Sequence, residues 1–215
     1  MAEFKTLNIA GTYNGFEAAV HGMRQPLKSF HKADSYWGGN EFILGDNDRK
    51  LARGLRKAGS EHCKYLRMIP VWADITAPET FWTEFDTYKV GTTANSTSTM
   101  HTIHRDGFEA AFDFPYDLDD DASNAFDSYI KTVSSVRDKM NAFEKGGDEY
   151  NKYHDLICKM LPRCFKYTRT ICLNYAVLAS MYHQRKDHRK SDWNTDFVNW
   201  VKTLPYNELI TGDFE

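Results

Sequence analysis

Long apolar runs are missing from this sequence: none approaches the roughly 20 residues needed to cross a bilayer, and the opening Met-Ala-Glu-Phe-Lys has no charged-then-apolar leader. The expectation is a soluble cytoplasmic protein with no membrane partner. Cysteine is scarce, with four residues in 215, and Cys63, Cys158, Cys164 and Cys172 form no Cys-x-x-Cys pair. A chain of this size needs no disulfide staples, so reduced and buried structural thiols fit best. An excess of either charge is also missing. Lys and Arg total 27 against 30 Asp and Glu, which gives no general reason to expect a polyanion partner and makes nucleic acid an unlikely one. Any basic site must be local. Internal repeats and low-complexity linkers are absent too, while 41% hydrophobic and 14% aromatic content suffices for a core. One α+β domain spanning 1–215 is expected.

What is present reads as alternating strand and helix signals. Asp46-Asn-Asp offers an N-cap, Leu51, Ala52 and Leu55 a stripe, and Gly59 a left-handed stop, predicting a helix. From Lys64 to Asp74 apolar residues occupy both alternating faces, predicting a strand covered on both sides with Pro70 at an edge or bulge. Thr76-Ala77-Pro78-Glu79 reads as an N-cap with proline in the first helical turn, followed by Phe81, Trp82, Phe85 and Tyr88 along one side. Gly107 to Ser123, with Asp117, Asp119, Asp120 and Asp121, predicts a surface loop. Helices are predicted near 124–144, 148–160, 174–186 and 192–202, with an extended stretch from Arg163 to Leu173.

Two segments carry a resemblance to a family. After Ala77-Pro78 and the aromatic helix comes Thr92-Thr-Ala-Asn-Ser-Thr-Ser-Thr-Met100. With a one-residue insertion after Pro78, this resembles the signature Arg-His-Arg-x-x-Ser-x-Asn-x-x-Ser-x-Arg of flavin-dependent thymidylate synthase. Thr93, Asn95 and Ser98 fall on Ser, Asn and Ser, Tyr88-Lys89-Val90 on Arg-His-Arg, and Met100 on the last Arg. Gly59 and His62 resemble the family's upstream Gly-His. Leu161-Pro162, Asn174 and Arg185 match the family's Leu-Pro, helix-opening Asn and later Arg at the same separations, and Asp187, His188 and Trp193 follow with one insertion. The similarity runs from about Gly22 to Trp200.

The resemblance implies an α+β fold with a central mixed sheet, flanking helices and a homotetramer whose pockets lie between subunits. It also implies a nucleotide ligand, with FAD as the family's redox carrier and a one-carbon transfer to position 5 of deoxyuridylate. The carried-over nucleotide-binding candidates are Ser98, Arg185, Asn95, Lys89, Thr93 and Asn174, with no metal and no assigned catalytic residue. Tyr88, Val90 and Met100 cannot pair with phosphate, lysine lacks the bidentate fork of arginine, and Cys158 stands where the family has another Arg, with Lys159 beside it. FAD is therefore doubtful on these residues. A nucleotide-binding or sequestering protein without standard flavin chemistry is expected, of use for instance in a virus and host conflict. An active flavoenzyme on a pyrimidine nucleotide and a structural or regulatory homo-oligomer are the alternatives.

Other constellations carry less. His101 and His104 have i, i+3 spacing without a third ligand, and the acidic run is explained by a solvated face. The cluster Arg185-Lys186-Asp187-His188-Arg189-Lys190 sits at a predicted helix C-terminus, where the macrodipole favours cations whatever the function. Trp72, Trp82 and Phe85 read as core or interface anchors.

Overall fold

A computed structural model describes residues 1–8, 15–103, 105, 114 and 117–214. The chain enters through strand β1 (Glu3–Asn8), helix α1 (Gly15–Arg24), a small hairpin of β2 (Tyr36–Gly38) and β3 (Glu41–Ile43), and α2 (Asp46–Lys57). Strand β4 (Pro70–Pro78) runs into α3 (Glu79–Phe85), followed by β5 (Thr93–Ser96) and a short α4 (Thr99–Thr102). A helical pair, α5 (Asp120–Asn141) and α6 (Asp148–Met160), leads to β6 (Lys166–Asn174) and α7 (Tyr175–Arg185). A wide helical turn at Asp192–Phe197 continues into α8 (Val198–Lys202), and α9 (Glu208–Thr211) ends the described chain. Among the described residues no helix is long and apolar enough to cross a membrane.

The main sheet has the order β1-β4-β6-β5. All of its pairs are antiparallel, a correction to the mixed sheet expected. β4 and β6 meet in register from Pro70↔Asn174 to Pro78↔Lys166, and the long excursion between them lets the chain re-enter from the opposite end without a parallel crossover. Strand β4 begins at Pro70, later than the sequence pattern suggests, because Lys64–Met68 closes into a 3-10 turn. Proline at the first strand position forfeits no interior ladder bond. Alternation then does what a period of two requires: Val71, Ala73, Ile75 and Ala77 are fully buried, whereas Trp72, Asp74 and Thr76 stay half-buried on the other face. Among the described residues, one face of β4 is fully covered and the other only partly, not both fully as the pattern predicts.

Beneath the covered face lies an aromatic core. Phe81 stacks on Trp193 at 4.3 Å between centroids, and Phe4 stacks on Trp200 at 5.0 Å. Trp82 and Phe85 are buried here as the sequence suggests. Strand β4 extends through Pro78, so Pro78 precedes α3 instead of sitting inside its first turn. A second cluster, with Ile103, Val133, Met140, Tyr150 and Ile157, is buried between α5 and α6 and against the end of α4. Helix α5 starts at Asp120, earlier than expected, because the Asp119 carboxylate accepts from Ala122 N at 2.8 Å as an N-cap. The rest of the acidic stretch before Asp117 falls mostly outside the described residues.

Candidate functional site

The residues aligned with the family signature begin at the exit of α3. Tyr88-Lys89-Val90-Gly91 forms one wall of a pocket of about 480 Å³, and the first turn of α7 with Asn174 forms another. Asn174 ends β6 and caps α7, its side-chain oxygen accepting from Val177 N at 3.1 Å. Gly91 has φ +80°, and a β-carbon there would lie 3.0 Å from Val177 Cγ2 and 3.4 Å from Asn174 Nδ2. Both facts require glycine: the backbone is left-handed and presses against the helix. Gly91→Ala is expected to lower stability by about 1 kcal/mol and widen the pocket, visible as a reduced midpoint in urea. An unchanged midpoint would refute the close approach.

Arg67, for which no motif spoke, also lines this pocket. It sits on the 3-10 turn Lys64–Met68, which is anchored from below. Leu66 is buried, the Tyr65 hydroxyl donates to Ala52 O at 2.9 Å, and Tyr175 N donates to Ile69 O at 3.1 Å. Only the shape of that turn brings Arg67 to the same pocket as Lys89, so spacing alone carried no signal for it.

Arg185, a nucleotide-binding candidate by the resemblance, is engaged within the protein. Its Nε donates to the Tyr88 hydroxyl at 2.9 Å and its Nη1 to Glu84 at 2.9 Å, and it lies over the Trp193 ring at 4.9 Å. Glu84 also receives Lys190 at 2.5 Å and the His188 imidazole at 3.3 Å. Burial raises the Glu84 carboxyl, but the Lys190 hydrogen bond and the Lys190, His188 and Arg185 charges outweigh it and hold the group below its ordinary value. The basic cluster after α7 is thus partly turned inward, and the Tyr88 hydroxyl joins it to the pocket wall by donating to Gln184 at 2.9 Å.

The remaining candidates do not line that pocket. Thr93 and Asn95 pair with Cys172 and Thr170, on the same half-exposed sheet face as Asp74, whose carboxylate accepts from the Thr170 hydroxyl at 2.6 Å. Ser98 lies at the start of α4, where its carbonyl accepts from His101 N and Thr102 N, each at 3.1 Å. The side chain of Met100, and all of His104, fall outside the described residues. Among the described residues no group of three acidic, histidine or cysteine side chains is placed to hold a metal.

A second pocket, of about 410 Å³, opens beside β6 and includes Ser96, Thr97, Cys158, Arg163, Tyr167 and Arg169. Cys158, at the position of a family arginine, is here, with Sγ 3.9 Å from His154 Nδ1. Lys159 does not replace the lost charge, since it pairs with Asp155 at 2.6 Å and is 72% exposed. Arg169 is held by Asp86 at 2.6 Å and stacks over Trp82. The Tyr167 hydroxyl donates to Glu79 at 2.8 Å, and burial followed by that bond pushes its pKa up to about 12.

No protein-family model matches the chain, and no curated protein matches it. Solved structures do. Thymidylate Synthase X from Helicobacter pylori with FAD and dUMP superposes with a TM-score of 0.69 at 15% identity, covering 99% of this chain and 98% of that one. A second structure of the flavin-dependent thymidylate synthase from Helicobacter pylori, complexed with FAD and dUMP, gives 0.68 at 13% identity, covering 99% and 100%. On these superpositions, the chain has the fold of flavin-dependent thymidylate synthase.

Proposed function

We propose that this protein is a divergent relative of the flavin-dependent thymidylate synthases that binds a nucleotide between Tyr88–Gly91 and the start of α7, without standard flavin chemistry. The observation that carries the reading is the wall itself: a ligand-sized pocket of about 480 Å³ is bounded by the segment aligned with the family's Arg-His-Arg. Sites for a single small ligand span about 300–1,000 Å³. The residues present fit FAD poorly. Tyr88 and Val90 carry no charge for a pyrophosphate, and Arg185 is committed to Glu84 and Tyr88. Removing a dense anion from water without guanidinium forks or amides to replace its hydration is unfavourable. A mononucleotide asks for less.

Self-association belongs to the same reading. Thr93 and Asn95 are exposed on the sheet, and a tetramer, as the resemblance implies, would bring a second copy's side chains to them; a cytoplasmic location, expected from composition, goes with this reading. The test begins with the purified protein: its visible spectrum, its native mass, and the small molecules released on denaturation. The expected result is a colourless tetramer that releases or rebinds a nucleotide, with affinity weakened at least tenfold in Lys89→Ala. A yellow protein carrying FAD that cycles between redox states would overturn the proposal in favour of an active flavoenzyme. Absence of any nucleotide at micromolar concentration would leave the structural homo-oligomer.

A further inference from the structure

We propose that Arg67, acting with Lys89, is the phosphate-binding element of this pocket. The inference rests on the nucleotide reading above for the identity of the whole ligand, but its own content is narrower: a phosphoryl group between two cations. Both side chains line the pocket, and none of the other lining residues is acidic. Glu84, Asp86 and Asp74, acids described above, are each engaged elsewhere: with Arg185 and Lys190, with Arg169, and with Thr170. Neither Arg67 nor Lys89 has a hydrogen-bond or ion-pair partner among the described residues. The positive end of α7 adds to the same side of the balance, because the macrodipole presents partial positive charge at Asn174 and the turn that follows.

The arrangement is fixed where it matters. The 3-10 turn below Arg67 is held by Tyr65 and by the Tyr175–Ile69 bond, and Gly91, two residues after Lys89, packs closely against Val177. The backbone segments that bring two cations to one pocket are therefore held before any ligand arrives, and such preorganisation lowers the ordering cost of binding. A guanidinium supplies a planar fork and an ammonium a point charge, a combination suited to a phosphate dianion. Arg67 does not fall on any arginine of the family signature, so the charge lost at Tyr88 and Val90 is regained from another part of the chain.

The probe is inorganic phosphate, added at constant ionic strength against chloride while thermal unfolding of the full chain is followed. Phosphate stabilises proteins generally by exclusion from their surfaces, an effect common to every variant, so the difference between variants is the readout. Wild type and Arg163→Ala, which alters the second pocket, should show the larger upward shift with phosphate. Arg67→Ala and Lys89→Ala should keep only the general effect, and Arg67→Lys should fall between. Affinity for phosphate should drop roughly 10- to 100-fold on losing one charge-assisted partner. A full phosphate response in Arg67→Ala, or an identical response in all five proteins, overturns the inference. Phosphate dependence on Arg67 together with failure to bind any nucleotide would sustain the phosphate site and defeat the nucleotide reading, so the two fail separately.

Discussion

Arg24→Ala should remove about 3–5 kcal/mol of folding stability, because it strands a buried carboxylate. Asp48 is completely buried and Arg24 is 4% exposed. Their contact is short on two nitrogens, with Arg24 Nε 2.7 Å and Nη2 2.6 Å from Asp48 Oδ1. The second oxygen is satisfied as well, accepting from Asp34 N and Ser35 N at 3.0 Å and from the Ser35 hydroxyl at 2.7 Å. The arrangement is reciprocal: the Asp34 carboxylate accepts from Asn47 N at 2.8 Å and Asp48 N at 3.1 Å, capping α2 from outside the helix. An Arg24→Met, Asp48→Leu double variant should therefore remain destabilised, although simple buried pairs often tolerate such replacement, because the N–H groups of Asp34 and Ser35 lose their acceptor. Urea unfolding measures both. A loss below about 1 kcal/mol in Arg24→Ala would show that the carboxylate is relieved by water or by movement.

The same cluster sets an acid limit. Burial raises the Asp48 carboxyl, but bonds from Ser35 and Arg24, then from the Asp34 and Ser35 amides, bring it below its ordinary value. A carboxyl with a lowered native pKa contributes stability that is complete above its unfolded value, near 3.9. That contribution is lost as pH falls through the native value. Acid unfolding of wild type should thus draw on Asp48 only below about pH 4, and Arg24→Ala, lacking one of the lowering bonds, should begin to unfold at higher pH.

These features separate what the sequence discloses from what it conceals. Helix α6 spans the predicted 148–160 because its capping and periodic signals are local, and α7 lies within a residue of its predicted ends for the same reason. Helix α1 also has a local signal, Phe16, Ala19, Val20 and Met23 on one buried face, though it is absent from the elements predicted above. The Asp34 cap on α2 is different. The helix has a plausible cap of its own in Asp46, and only tertiary contact selects the remote carboxylate, with Gly45 leaving room for it. Within the site, the signature alignment reaches Lys89 and Asn174 at the pocket wall, but it carries nothing of the Glu84 carboxylate that Arg185, His188 and Lys190 share. Partner competition of that kind is invisible in spacing. Arg67 is the converse, a cation with no motif whose place depends on one 3-10 turn.

The buried tryptophans give the second large effect and a sharper comparison. Trp82 and Trp193 are both fully buried, so truncating either to alanine should cost about 3–5 kcal/mol in lost contacts and cavity. Their indole nitrogens differ. Trp82 Nε1 donates to Ala77 O at 3.0 Å and Tyr167 O at 3.3 Å, whereas Trp193 Nε1 is buried with no acceptor among the described residues. Replacement by phenylalanine keeps an aromatic ring but deletes that donor. At Trp82 the change breaks a satisfied bond, and at Trp193 it removes a polar group already left unpaired. Trp82→Phe should therefore lose about 1 kcal/mol more than Trp193→Phe, measured by urea unfolding of both, and equal losses or the reverse order would refute the assignment. Trp193 also lies beneath Arg185, itself bonded to Tyr88. Trp193→Ala should consequently loosen the pocket wall and weaken ligand binding in the fraction that still folds, while Trp193→Phe, with a ring still under the guanidinium, should leave binding near that of wild type.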